Sequence, residues 1–483
     1  MSDPSAASPP ALRRAVGTVT ATATSAGLAF AAINFLGIVS VATYAAGASA
    51  WLAILVGLGI ALVVAAAFSE LNGLFPTAAG VRLYVGRAFG NRFALTATFT
   101  YMTTVVLVIA ADAFLIGAAI QHVLHERSSL AYLWILALLA VATAANLRGI
   151  TLAGRVQSVV TYTVLASTVL LSVIALTRPG LRMETPFALF GDGVMSGFQA
   201  IAFALFLFAA FEWVTTTAEE ARQPSVITRA LFVAPVLIWL AATGFALGLA
   251  HLVPKGLADS SAYPQLLLGQ AALGRLGEVW MLAVTVLTAV NTFNGGFLVA
   301  SRFLYAAARE GNLPRDFARL NLRAVPWLAV VTLAVASAVV AGAVFASGQW
   351  LLLVAVGAAL EAAMFAIGSA ALLRLRRRDA RPRPFRMSAA PVLAGGGVVL
   401  FTGLALASGF SDPNDPSTFS PVPALVVATL AVLSYCYVRF VLPRMHRAAA
   451  ARAVAARAAG TRTRRRPPRA ATTAEPTSDE PAS

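Results

Sequence analysis

The stretch FALFLFAAFEWVTTTAEEARQP, residues 203–224, decides how the rest of the chain is understood. Its first half is apolar enough to lie in lipid, yet Glu212 stands in its middle. An ionised carboxylate there costs several kcal/mol unless something compensates it, so an acid in such a place marks a cavity, a proton relay or a substrate path. A soluble protein with one buried helix would be the simpler account. Composition removes it: of 483 residues, 59% are hydrophobic and 12% charged, with a mean hydropathy of +0.79. Soluble domains carry about 25% charged residues. The chain is therefore expected to be an all-α polytopic membrane protein.

Runs of about 20 apolar residues predict about twelve transmembrane helices. Their expected limits are 27–46, 50–69, 93–121, 131–147, 157–177, 195–217, 230–251, 279–306, 326–346, 350–373, 390–409 and 422–442. The formal charge of +16 follows this arrangement. With the N-terminus placed inside, only Arg127, Arg178, Arg182, Lys255 and Arg275 of the 36 basic residues fall in outer loops. The other 31 lie inside, as the positive-inside rule requires for an even number of spans with both ends cytoplasmic. Basicity here reads as topology, and no nucleic-acid partner is expected.

Residues 1–20 are expected to be a disordered cytoplasmic segment, 21–445 the transmembrane domain and 446–483 a disordered basic tail. No separate cleavable signal peptide is read in the polar first 16 residues. Cys436 is the single cysteine, so neither a disulfide framework nor a thiolate metal site is expected. His122 and His125 beside Glu126 have helical spacing, but a solvated helix end explains them better than a metal does. No cofactor is implied. The scarcity of lysine beside abundant alanine and arginine suggests a GC-rich genome and a bacterial inner membrane.

Polar residues inside the runs concentrate in the first (Asn34, Gly37, Ser40, Thr43), third (Tyr101, Thr103, Thr104, Asp112), sixth (Glu212), eighth (Asn291, Asn294, Gly295, Gly296) and tenth (Glu361). The first and sixth open two groups of five, and the third and eighth hold equivalent places within them. A transporter built from two inverted repeats, with its site at midplane, would show this distribution.

Four segments carry a family resemblance: SELNGLFPTAAGVRLYVGRAFG (69–90), NLRGITLAGRVQSVVT (146–161), the opening stretch, and ASRFLYAAAREGNLPRDFARLN (300–321). In sequence, order and spacing they resemble the amino acid–polyamine–organocation permeases, over about residues 20–445. The resemblance implies a LeuT-like fold of two inverted five-helix repeats plus two extra helices. It also implies a first and a sixth span unwound at midplane, whose freed backbone groups hold the carboxylate and ammonium of an amino acid.

Carried over residue by residue, it implies substrate contacts at Ile33, Asn34, Gly37, Thr104, Asp112, Phe206, Ala209, Asn291 and Asn294. It implies a proton-coupling pair of Glu212 and Tyr101. An ion site involving Thr288 is a further option, since Val164 replaces the lysine that serves proton-coupled relatives. Glu70, Glu219 and Glu220 are expected to face Arg82, Arg302 or Arg309 in an intracellular gate. Two departures stand out: the Gly-Ser-Gly element of the first break is absent, and Ala210 replaces the glycine two positions before Glu212. Gly37 is expected to permit the first unwinding, and Ala209-Ala210 the second. Asn34 and the Gly295-Gly296 pair have packing alternatives.

The function expected is a secondary permease that moves amino acids by alternating access, coupled to H+ or Na+ or working by exchange. A polyamine or monoamine carrier of the same fold is the alternative, and a non-transporting membrane sensor a more distant one. No enzyme is expected, because the chain has no phosphate loop, nucleophile elbow or metal cluster.

Overall fold

The computed structural model describes residues 12, 14–46, 48–124, 128–183, 185–415 and 418–451. Most of both terminal segments, together with His125 and Glu126, lies outside them. Among the described residues the elements are helical, and eleven helices are long and apolar enough to cross a membrane. A bent pair makes a twelfth. Span 1 is Thr18–Ala29 plus Ile33–Tyr44, bent by 60°. Spans 2 to 6 are Ala50–Leu74, Asn91–Leu124, Leu130–Leu147, Ile150–Thr177 and Val194–Glu220. Spans 7 to 12 are Ser225–Leu252, Arg275–Arg309, Trp327–Ser347, Trp350–Arg378, Ala390–Phe410 and Val422–Ala451.

Burial sorts these spans into layers. In span 8, 78% of the most apolar window is buried, and in span 3, 67%; spans 11 and 12 reach 22% and 11%. Spans 3 and 8 are therefore the centre of the bundle, and the last two spans are its lipid-facing margin. Three short helices, Val81–Phe89, Lys255–Asp259 and Pro264–Leu273, lie in the connections and carry no run long enough to count as a span.

Span 1 begins nine residues before its expected start at 27. The segment TVTATATS is only weakly apolar, yet it forms a buried helix because protein rather than lipid surrounds it. Its break falls at Phe30–Ala32, one turn before Gly37. Gly37 does not loosen the helix as expected. A Cβ there would lie 2.9 Å from Leu207 Cδ2, so the glycine serves close packing against span 6.

Span 6 breaks without glycine. An α-helix runs Val194–Phe206, Ala210 takes a left-handed φ of 71°, and a 3-10 helix follows from Phe211 to Glu220. Runs of that geometry beyond 3–4 residues are uncommon, and a left-handed alanine is strained. Neighbouring spans hold this backbone in place, through the contacts described next.

Candidate functional site

The two breaks are stitched by side chains. Ile33 N–H, at the start of the second half of span 1, donates to Asp112 Oδ1 of span 3 at 3.2 Å. An anion at a helix N-terminus is favourable, since the free N–H groups and the dipole both face it. Asn34 Nδ2 donates to Leu207 O at 2.9 Å, and Ser25 Oγ donates to Phe211 O at 2.7 Å. Asn34 thus ties the first break to the second through its amide nitrogen, the packing alternative for this residue. Asp112 Oδ2 is fully buried and makes no hydrogen bond within 3.5 Å, and the buried hydroxyl of Thr292 on span 8, also without a bond at that distance, stands beside this carboxyl.

Below this point three titratable groups meet. Tyr101 of span 3 hydrogen-bonds Glu212 Oε1, and its hydroxyl also lies 2.8 Å from Glu361 Oε2 of span 10. Glu361 Oε1 accepts from Ala210 N–H at 2.8 Å, the backbone amide at the left-handed residue. The Tyr101 ring stacks on Trp213, centroids 4.8 Å apart. All three groups are buried.

Span 8 continues unbroken through its NTFNGG segment. Asn294 Nδ2 donates to Gln157 Oε1 at 2.7 Å and to Ala153 O at 3.0 Å, while its Oδ1 accepts from Asn146. Its amide is committed to spans 4 and 5. Asn291 Oδ1 lies 2.6 Å from both Gln157 Nε2 and Thr161 Oγ1, leaving its Nδ2 unpartnered. Gly27 of span 1 seats against this cluster: a Cβ there would meet Gln157, Asn291 and Thr161 at 2.3–2.4 Å. Gly295 and Gly296 similarly admit Gln157 and Ile109. Thr288 donates its hydroxyl within its own helix, to Thr285 O at 2.6 Å.

Phe206 and Ala209 line a small cleft between spans 2, 6, 10 and 11, with Glu361, Ile60, Val64 and Phe401. Thr104 is buried and faces Gly357 of span 10. These three expected contacts therefore lie on the span-10 side, whereas Ile33 and Asp112 meet at the first break.

At the basic end, ion pairs join the spans. Arg302 Nε donates to Glu220 Oε2 at 2.8 Å, both side chains 1% exposed. Arg309 pairs with Glu219 at 2.5 Å. Ala15 N–H and Val16 N–H both donate to Glu220 O at 2.9 Å, which seats the entering chain on span 6. Two expected pairings are corrected. Glu70 faces none of Arg82, Arg302 or Arg309; it takes Arg376 Nε at 2.9 Å, from the last turn of span 10, and pairs with Arg383 Nε at 3.2 Å, just beyond that span. Arg82 instead pairs with Glu310 and donates to Asn91 Oδ1 at 3.1 Å. In the connection between spans 10 and 11, hydrogen bonds from Arg381 hold the Asp379 carboxyl low, at about 2.

A profile of the amino acid permease family matches residues 16–433. The chain belongs to that family. A branched-chain amino acid permease of Lactococcus lactis is 24% identical to this permease over 380 residues, 71% of this chain and 79% of the relative. A D-serine/D-alanine/glycine transporter of Escherichia coli K12 is 30% identical over 139 residues, 28% of each. An amino-acid permease of Schizosaccharomyces pombe is 26% identical over 162 residues, a match spanning only 29% of that relative. Among solved structures, a Na+-coupled sialic acid symporter superposes with a TM-score of 0.52 at 12% identity, covering 83% of this chain and 91% of the other. That likeness concerns the fold: two inverted five-helix repeats, with spans 11 and 12 outside them.

Several groups that shape the permease's site escaped sequence reasoning. Ser25 sits in a threonine-rich segment that hydropathy placed outside the first span. Gln157 and Thr161 lie within the 146–161 segment, in which the resemblance assigns neither a role. Glu361 carried a signal, an isolated acid in an apolar run, but nothing local names its partners. Arg376 and Arg383 were counted only as positive charge.

Proposed function

We propose that this permease is a secondary transporter moving amino acids across a bacterial inner membrane by alternating access, its basic end and both termini cytoplasmic. The 31-to-5 division of basic residues supports the orientation. The observation that carries the substrate reading is Asp112. Its Oδ2 is buried, without a hydrogen bond within 3.5 Å, at the break of span 1, beside the C-terminal end of the Thr18–Ala29 helix. A carboxylate and a helix C-terminus together favour a cation, so the ammonium of an amino acid belongs there.

Proton coupling is favoured over sodium. The Gln157–Asn291–Thr161 cluster against Gly27 fills the space between spans 1, 5 and 8 with amide and hydroxyl groups bonded to one another. Thr288 is engaged within its own helix. Glu212 with Tyr101 is the group that would hold the proton.

A second reading is favoured by the same aspartate. Ile33 N–H is taken by Asp112, while Asn34 N–H and Phe35 N–H donate to Ala31 O and Ala32 O. Those amides would otherwise receive a substrate carboxylate, and a monoamine or polyamine needs no such receptor.

The purified protein in liposomes, offered labelled amino acids and polyamines under separate proton and sodium gradients, tests both readings. Amino acid uptake driven by the proton gradient is expected. Asp112→Asn should lower it about tenfold or more, since a charge-assisted hydrogen bond contributes about 1.5–3 kcal/mol. Uptake of polyamines alone would give the second reading its place, and exchange of nothing on the panel by folded protein would point to a sensor.

A further inference from the structure

Tyr101 has one hydroxyl hydrogen and two carboxyl neighbours. Its oxygen is within hydrogen-bond distance of Glu212 Oε1 and Glu361 Oε2 together. A phenol donates to one acceptor; the second carboxyl can bond the same oxygen only by donating a hydrogen of its own. The arrangement closes only if the two carboxyls hold one proton between them. Glu361 has the environment of the carboxylate, because Oε1 already accepts Ala210 N–H and Oε2 faces the phenol. Glu212 has that of the acid: its Oε2 is buried without a partner. An orphan oxygen is less costly on a neutral acid than on a carboxylate.

We propose that Glu361 is the second carboxyl of the transport proton site, and that it transmits the site's occupancy to the break of span 6 through Ala210. This rests on the reading of Glu212 and Tyr101 as the proton-holding pair. With the proton present, all three groups are satisfied and Glu361 holds the Ala210 amide at the strained residue. When the proton leaves, two buried carboxylates face one phenolic hydrogen. Their repulsion acts on Glu361, and hence on the amide that fixes the left-handed turn.

Among the described residues, no other charge faces the pair to relieve it. From span 3 the group facing Glu361 is Tyr101, and from span 6 it is Glu212. Spans 2 and 11 present Ile60, Ala61, Val64, Phe401 and Leu404 around the cleft that Glu361 borders. The Glu70 carboxylate of span 2 is engaged by Arg376 and Arg383, and Arg82 of the Val81–Phe89 helix by Glu310. Tyr84 of that helix bonds Asn72. From span 12, Tyr437 bonds Asn312 O.

The test is infrared spectroscopy of the purified full chain in lipid, read at the carbonyl band of protonated carboxyls. The signal remaining in an Asp112→Asn background should vanish in both Glu212→Gln and Glu361→Gln, because either remaining carboxyl can then ionise against Tyr101 alone. Persistence of the band at full strength in Glu361→Gln would overturn the proposal, leaving Glu212 to hold the proton by itself. Glu361→Gln keeps an oxygen for Ala210 N–H, so its melting temperature should match the parent. Glu361→Leu removes that acceptor and should melt lower; equal melting would overturn the link to the break. In liposomes, stimulation of Glu361→Gln uptake by an inward proton gradient should fall to onefold, and stimulation equal to the parent's would overturn the proposal. The infrared result does not depend on substrate, so a failure to transport amino acids would be seen separately.

Discussion

Ala210 concentrates the residue-scale physics of this permease. An L-residue with φ near 71° brings its Cβ against the backbone, a strain of about 1–2 kcal/mol that glycine escapes. The Glu361 carboxylate holds the amide in place. Ala210→Gly should therefore raise the melting temperature, corresponding to about 1 kcal/mol, while weakening the hold of Glu361 over the turn. Calorimetry of the two proteins in the same detergent would check it, and a lower melting temperature would refute it. At this scale the sequence was partly legible. Glu212 and Asp112 announce themselves as lone acids among apolar neighbours. Their partners, a tyrosine 111 residues away and a backbone amide 79 residues away, depend on packing that no local window contains.

At the scale of elements, span existence was legible because bilayer thickness imposes length and apolarity together. The breaks were legible only by family resemblance, and their exact places were not. Hydropathy could not see that Thr18–Ala29 is shielded by protein, and Gly37 resembles a helix breaker although it serves contact with Leu207. The joining of spans at the basic end is likewise a property of paired elements. Arg302 and Glu220 join spans 8 and 6 with both side chains buried, so removing one leaves the other charge unpaired, at a cost of about 3–5 kcal/mol. Arg302→Gln should destabilise the closed form. With Cys436→Ser and Ser301→Cys added, maleimide should label position 301 faster from the basic side. Adding Glu220→Gln should recover part of the loss in melting temperature, because the stranded charge is then gone. No change in labelling would show that this pair does not hold the end closed.

At the scale of the whole molecule, the proposed orientation rests on the distribution of arginines alone. The inverted-repeat plan was visible as polar residues in matching spans and through the family resemblance. What stayed hidden was how completely the chain occupies its own broken backbone. Asp112 takes the Ile33 amide, Asn34 the Leu207 carbonyl, Ser25 the Phe211 carbonyl and Glu361 the Ala210 amide. A carrier whose breaks were satisfied only by cargo would face a high barrier to reorienting unloaded, because its bare amides and carbonyls would be stranded away from water. Here that penalty is already met from within. The unloaded protein should therefore turn over almost as readily as the loaded one, and liposomes holding no internal substrate should still accumulate it. An initial rate within about threefold of that in preloaded vesicles, equivalent to less than about 0.7 kcal/mol of barrier difference, would be the kinetic trace of these four hydrogen bonds. Strict dependence on preloading would mean that they open before the empty protein can turn.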